Sequence, residues 1–560
     1  MTVHDPITGE IIGNFLLSIS EEMTAVLIRS AYSANIKERA DCSSAILTPE
    51  GEVVVQAAHS PLHLGGMQGT ARALLAAAAR EDLRPGDMYV SNDPHLAAAL
   101  HLNDVTIAAP LIVDGQLFGF VATVAHHADL GGSTPGGEAC DSKSIFDEGL
   151  RLPPTRIAQN GEPIQSVLDI LFANSRNPRE ILGDFRAQFS AVKLGTRRFE
   201  DAVVRWGADT VRSAVKQVLS AAESRFRAAV TRLPNGVYEC TDWADDDWVT
   251  GESFPVHAKV EIRDDEVHVD LTKNIDQVES SRNVSAGMLL ATVLTSMQSA
   301  IDPFLPANSG FGRAIHISTR PGSILAPHPP AAVALGSRTC QILFGAIYGA
   351  LSEVVPERIC AGCATAAGIQ VFGPNPHTGA PFLNYERVGG GFGARSSKDG
   401  LDGVQFGVTN TSNLPIEASE AEYPFMVEAY EVIPDSGGVG QFRGGLGVRR
   451  DIRVLTDGAV LTAQGERIVN PPPGLRGGLP GRPGQMLLNP GTRQEKVLPT
   501  AFSGLKLSKG DVIGLRTAGG GGFGDPSARD TRAIEEDLEN GRVTIDAAKR
   551  DYGYVPESDD

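Results

Sequence analysis

The spacing of apolar and polar positions along this 560-residue chain changes period several times, and each change marks an element. Over residues 11–34, Ile12, Phe15, Leu16, Ile19, Met23, Val26 and Leu27 recur at steps of three and four, which predicts an amphipathic helix. Residues 41–56 alternate as a hairpin does, with Pro49-Glu50-Gly51 as its turn. Residues 70–80 return to a helical period, and Pro85-Gly86-Asp87 breaks the chain before a short apolar run at 88–90. Strands over 105–113 and 116–125 flank Asp114-Gly115, a two-residue hairpin signal.

Farther along, residues 178–232 read as long, highly charged helices, an interaction or scaffold pair. After Pro234-Asn235-Gly236 the pattern turns to strands, with 258–262 and 266–271 alternating. Between 381 and 524 the clusters VGGGFGARS, SGGVGQFRGGLG, GLRGGLPGRPG and AGGGGFGDP separate short strands, which predicts a β-rich region with many tight turns. Residues 531–552 form a polar helical docking tail. The expected fold class is α+β and multidomain. Its parts are a mixed α/β region over 1–175, a helical segment over 176–235, a second mixed region over 236–380, a Gly-rich β domain over 381–526 and a C-terminal helical tail over 527–560.

At 42% hydrophobic and 21% charged residues the chain can bury real cores, which excludes a largely disordered protein. With 49 basic and 68 acidic residues its net charge is −19, so it carries no general electrostatic footprint for nucleic acid or an anionic membrane. The N-terminal stretch lacks the basic and continuous apolar regions of a signal peptide, and no apolar run reaches the roughly 18 residues of a spanning helix. The six cysteines are mostly far apart and form no disulfide framework. A cytoplasmic location is expected.

Candidate chemistry concentrates early: six of the twelve histidines lie between His59 and His127. His101 and Asp104 are three residues apart and converge on one ion if the segment turns. His126 follows His101 by the span of one hairpin, so the Asp114-Gly115 turn can return His126 or His127 to that ion. Alternation along a strand allows only one of the two to face it. An imidazole–carboxylate set suits zinc, manganese or iron; the competing reading is hydrogen-bonded histidines at strand ends. Asp41 is either a further ligand or a partner of Arg39. His59 and His63, four apart around Pro61, are ligands, proton-transfer groups or turn residues, and Pro61 disfavours a regular helix through both. The chain has no P-loop and no GxSxG elbow, and the 389–393 glycines read as turn residues. Cys360 and Cys363 read as buried thiols, and the acidic run WADDDW at 243–248 as a solvated loop or N-cap cluster.

Ordered motifs then carry a resemblance. DPITGEIIGNFLLSISEEM, AYSANIKERADCSSAI, QAAHSPLHLGGM, SNDP followed by HLND, AHHADLGG, IFDEGLRLPP, TNTSNLPIEASEAEYP, SGGVGQFRGGLG and AGGGGFGDP are similar, nearly end to end, to the hydantoinase B/oxoprolinase family. That family includes B subunits of N-methylhydantoinase and caprolactamase, and the acetone carboxylase α subunit is also similar. The resemblance implies a divalent metal held by Asp41, His101, Asp104 and His126, and so selects His126 over His127. It also implies a hetero-oligomer with an A-type subunit that uses ATP, and a small cyclic amide as substrate: a hydantoin, 5-oxoproline or another lactam. His59, His63 and Asp129 are the candidate proton-transfer residues. The alternatives are an ATP-dependent ketone carboxylase subunit and a non-catalytic scaffold of an A-type ATPase. One departure stands beside the site: relatives carry Gly-Gly-Thr before the His-x-x-Asp, whereas this chain has Ala97-Ala98-Ala99-Leu100.

Overall fold

The structure, a computed structural model, describes residues 5–58, 60–78, 83–410 and 412–555. The chain divides into two compact units. The first comprises Met1–Tyr238, Lys259–Cys340 and Val408–Ser412; the second comprises Glu239–Ala258, Gln341–Gly407 and Asn413–Asp560. The helices of 178–230 bury their apolar sides in the first unit.

The first unit is built on a seven-stranded antiparallel sheet. Its strands are β1 (Cys42–Leu47), β2 (Val53–Ala58), β3 (Met88–Ser91), β4 (Asp104–Val113), β5 (Gln116–His126), β6 (Thr155–Gln159) and β7 (Glu162–Pro163). Their order across the sheet is β2-β1-β5-β4-β3-β6-β7. Its helices up to residue 230 are α1 (Pro6–Ser30), α2 (Ala34–Lys37), α3 (His63–Ala78), α4 (Ile145–Glu148), α5 (Gln165–Ala173), α6 (Pro178–Trp206) and α7 (Ala208–Val230). α1 is long and apolar enough to cross a membrane by length and composition. Its Ile12, Leu16, Ile19, Met23 and Leu27 are nevertheless fully buried in the core shared with α6, α7 and the sheet, as a core helix requires.

Side-chain alternation assigns the two faces of this sheet. Ser44 bonds Thr24 of α1, and Thr123 and His127 both bond Gln188 of α6. Ser43, one residue from Ser44, instead meets His63 of α3. So α1 and α6 cover one face and α3 covers the other. α3 begins seven residues before the predicted start, since Pro61 stands ahead of its first turn, where a ring is harmless, rather than inside it.

Beyond α7 come β8 (Gly236–Ala244), β9 (Phe254–Arg263), β10 (Glu266–Asp270), α8 (Ala286–Ile301) and β11 (Ile315–Ser318), with the strands in the order β11-β10-β9-β8. β10 and β11 are parallel.

The second unit contains one four-stranded and one five-stranded antiparallel sheet. Its glycine clusters do more than turn the chain. Segments around Gly391, Gly445 and Gly520 hydrogen-bond to one another through Gly445 N to Phe392 O (2.8 Å) and Gly520 N to Gly445 O (2.9 Å). A Cβ on Gly391 would lie 2.0 Å from the Gly445 carbonyl oxygen, so this stacking admits no side chain. Cys360 and Cys363 are both buried with their sulfurs 3.6 Å apart, and burial pushes the Cys363 thiol up, which makes it a poor nucleophile. The C-terminal helices pack within their own unit through Ile534, Val543, Ala547 and Ala548, and Asp537 pairs with Arg443 and Arg529.

Within the acidic run Asp245 and Asp246 are buried, while Asp247 caps the following turn by accepting from Val249 N and Thr250 N. Asp245 accepts from Ile468 N (2.6 Å) and Asn470 N (2.7 Å). Just ahead of the run, Asp242 grips buried Arg467 through both guanidinium nitrogens. Arg467 itself sits at φ +65°, a left-handed conformation that the pair holds in place. Asp242→Ala would leave that guanidinium buried and unpaired, and should lower the urea midpoint of the second unit by the equivalent of about 3 kcal/mol.

Candidate metal centre

The α3-facing side of the first sheet collects the predicted residues. Asp104 and His126 are opposite each other at the first position of β4 and the last of β5. Asp41 precedes β1, and its carbonyl accepts from His126 N at 3.1 Å, extending the β1–β5 ladder by one step. Alternation carries His126 to the α3 side and His127 to the other. There His127 Nε2 meets Gln188 at 2.9 Å, its ring lies 4.6 Å from Phe185, and burial lowers its pKa.

His101 comes from the loop after β3, which the Ser91-Asn92-Asp93-Pro94 segment shapes. Asn92 Nδ2 donates to Leu102 O at 2.7 Å and Leu150 O at 2.9 Å, while Asp93 pairs with Arg151 at 2.8 Å. Within that loop Ala98 adopts φ +49°. An alanine here is strained by a left-handed backbone, and it is pressed by close neighbours on α3 and α8: a Cβ on Gly69 would lie 2.3 Å from Ala98 Cβ, and one on Gly287 2.1 Å from Ala98 O. Ala98→Gly should therefore raise stability by about 0.5 kcal/mol, relief of strain outweighing the added freedom of the unfolded chain, as read from urea unfolding.

These loops bring the imidazoles and carboxylates together. His101 Nε2 is 3.1 Å from Asp104 Oδ2, and His126 Nδ1 is 3.3 Å from Asp104 Oδ1. The two rings are 5.0 Å apart. Glu138 Oε1 lies 3.7 Å from His101 Nδ1, and one ligand atom from each of His101, His126 and Glu138 fits within 4.8 Å of the others. At the edge of the group, His63 Nε2 is 3.6 Å from Asp41 Oδ1 and its Nδ1 is 2.9 Å from Ser43 Oγ.

Sequence spacing did not find Glu138. It arrives on an irregular loop whose course is set by contacts invisible to periodicity. Asn103 Nδ2 donates to Gly136 O at 3.1 Å, and Gly137 turns at φ +70°, where a Cβ would lie 2.7 Å from Glu148 O. Asp129 serves this loop as well. Its Oδ1 accepts from Arg176 Nη1 (2.9 Å) and Gly136 N (3.0 Å), and its Oδ2 accepts from Arg176 N (2.6 Å). Both of its oxygens are thus engaged in holding this loop to Arg176. His59 lies outside the described residues.

The electrostatics follow from two buried carboxylates, Asp104 and Glu138, and the partly exposed Asp41 beside three buried imidazoles. Burial alone would lower the His101 pKa, but Asp104, Glu138 and Asp41 outweigh it and hold it at about 9. Burial would raise Asp104, yet His101 and His126 hold its carboxyl well below the usual range. His63 is lowered by burial and stays neutral. The cluster as a whole attracts positive charge. His101 Nδ1 and Asp104 Oδ1 are buried and make no well-formed hydrogen bond, facing Glu138 Oε1 at 3.7 Å and His126 Nδ1 at 3.3 Å, an arrangement that a cation at this point would satisfy. All the donors are nitrogen and oxygen, which suits zinc, manganese or iron(II). The residues fit a divalent ion.

A model of the hydantoinase B/oxoprolinase family matches residues 5–526. An uncharacterised protein of Methanocaldococcus jannaschii is 34% identical over 98% of this chain and 96% of its own length. The solved ATP-dependent caprolactamase of Pseudomonas jessenii superposes with a TM-score of 0.90 at 27% identity, covering 100% of this chain and 98% of that one. A nucleotide-free acetone carboxylase structure gives a TM-score of 0.91 at 18% identity, covering 99% of this chain and 80% of that one, which shows the shared fold. This chain belongs to the hydantoinase B/oxoprolinase family.

Proposed function

We propose that this chain is the B-type subunit of an ATP-dependent cyclic amidohydrolase that opens a hydantoin, 5-oxoproline or other lactam ring. Its metal centre is built on His101, Asp104 and His126, with Asp41 and Glu138 completing the acidic surround. The observation that carries the reading is this buried nitrogen–oxygen cluster, two of whose polar atoms make no well-formed hydrogen bond, in a chain alike end to end to a caprolactamase named as ATP-dependent. A second caprolactamase observation supports a partner: the relative is named as subunit beta, 29% identical over 99% of this chain.

Lactam amides are stabilised by resonance, so coupling ring opening to ATP is chemically sensible. In this reading an A-type partner uses ATP to phosphorylate the ring carbonyl oxygen and this chain receives the activated ring. A divalent ion bound here would supply Lewis acidity to the carbonyl carbon's oxygen substituents and acidify a water. Asp104, between the two imidazoles, fixes their rings. His63, neutral and set by Ser43 through Nδ1, is placed to take a proton at Nε2 beside Asp41. His59 remains a second proton-transfer candidate, and a cytoplasmic pair with access to ATP fits this reading.

The test is ATP turnover by this chain co-expressed with its A-type neighbour across a lactam and hydantoin panel, with and without bicarbonate, with metal content read by mass spectrometry. Amide-stimulated ATP hydrolysis without bicarbonate supports the reading. Ketone turnover that needs bicarbonate would replace it with a carboxylase, and a metal-free, inactive complex would leave a scaffold.

A further inference from the structure

A second cluster of ligating side chains lies in the first unit on the outer face of β10 and β11. Strand β10 alternates: Val267 and Val269 are buried, while Glu266 and His268 share the opposite face. In the parallel ladder His268 is the register partner of His316 on β11, so the two imidazoles stand side by side, with ring centroids 4.6 Å apart and planes inclined by 26°. Glu266 Oε2 then reaches both rings, at 3.1 Å from His316 Nε2 and 3.8 Å from His268 Nε2. One ligand atom from each of the three lies within 4.8 Å of the other two.

We infer that Glu266, His268 and His316 form a second, surface-accessible site for a divalent transition-metal ion of the zinc type. Bonds of about 2.0–2.2 Å to zinc set ligand atoms of a tetrahedral site about 3.3 Å apart, and the two measured distances bracket that separation. His268 Nε2 is shielded from solvent and has no hydrogen-bond partner, so it is directed at the carboxylate with nothing else to bind. Arg227 shapes the site. Its Nη1 donates to Glu266 Oε1 at 3.1 Å and also pairs with Asp265 at 3.2 Å. That contact fixes the carboxylate's rotation and leaves Oε2 to the imidazoles. The guanidinium charge opposes a cation, and Asp265 and Glu223, which lies 3.1 Å from Arg227 Nε, offset it. Glu261, across from His268 on β9, is held by Arg263 at 2.6 Å. Three protein ligands leave the remaining coordination positions open to water, because His316 is nearly half exposed.

Such an ion would join β10 to β11, whose covalent connection runs through the long excursion carrying α8. Its first consequence is therefore stabilisation by linkage. The inference does not rest on the amidohydrolase reading, and its test is read as a difference that the buried centre cannot produce. Metal-depleted full-length chain is titrated with Zn²⁺ against a chromophoric chelator, alongside the His268→Ala/His316→Ala double variant. The wild type should bind one equivalent more than the variant, and Zn²⁺ should raise its melting temperature by a larger increment. Glu266→Gln, which keeps the residue's size, should weaken that extra equivalent by at least about tenfold, 1.4 kcal/mol. Equal zinc stoichiometry in wild type and double variant, with both folded by circular dichroism, would overturn the inference.

Discussion

In the proposed amidohydrolase, Asp104→Ala is expected to abolish metal binding at the buried centre and to lower amide-stimulated turnover of the proposed complex by about a thousandfold. Asp104 is the group that touches both imidazoles, at 3.1 and 3.3 Å, so its loss removes a ligand and frees two rings at once. Lewis-acid assistance contributes several kcal/mol to a carbonyl reaction, and each 1.36 kcal/mol is a factor of ten, which gives that figure. Two comparisons make the result specific. Glu138→Gln keeps the shape of the loop and removes one charge, so metal affinity should fall while the fold stands. His127→Gln, on the opposite face against Gln188 and Phe185, should keep the metal and perturb only packing. Metal content by mass spectrometry decides: full occupancy in Asp104→Ala would refute the assignment of this centre, and loss in His127→Gln equal to that in Asp104→Ala would show that the effect is merely structural.

The contrast between Asp104 and Glu138 also shows what was legible in the chain. The hairpin 104–126 announces itself by two strand-like runs on either side of Asp114-Gly115, and the observed turn has φ +51° and +75° at those two residues. Once that register exists, the proximity of Asp104 and His126 and the divergence of His127 follow from a period of two. Glu138 carries no such signal, because its position depends on side chains such as Asn103, Asp129 and Arg176 that close an irregular loop. The same limit applies to the acidic run at 243–248. Its composition suggests exposure, yet its partners Ile468 and Asn470 lie more than 200 residues away in sequence, and only tertiary pairing reveals them. The helices of 178–230 were visible as helices, but their charged faces masked a buried side carrying Phe185, Val192 and Phe199.

Glu148→Gln is expected to remove a large pH dependence of stability in the metal-free chain. Glu148 sits at the end of α4, fully buried; its Oε1 accepts from Val333 N and Ala334 N, both at 2.7 Å, and its Oε2 has no partner. Burial pushes its pKa from 4.5 to about 8, against the pull of those two backbone bonds and of His101, and with Glu138 adding to the rise. Unfolding releases the group to its ordinary value. Between pH 4.5 and about 8 the native chain therefore holds a proton that the unfolded chain has lost, and stability falls as pH rises through that window, by on the order of 5 kcal/mol in total. A glutamine keeps an acceptor for both backbone amides but cannot ionise. Urea unfolding of chelator-treated protein should then give nearly equal stability for the two chains at pH 4.5, and a widening advantage for the variant up to pH 8.5. A constant difference at every pH would mean that Glu148 is already ionised in the folded chain, and that the cation-seeking cluster around His101 extends its field as far as α4.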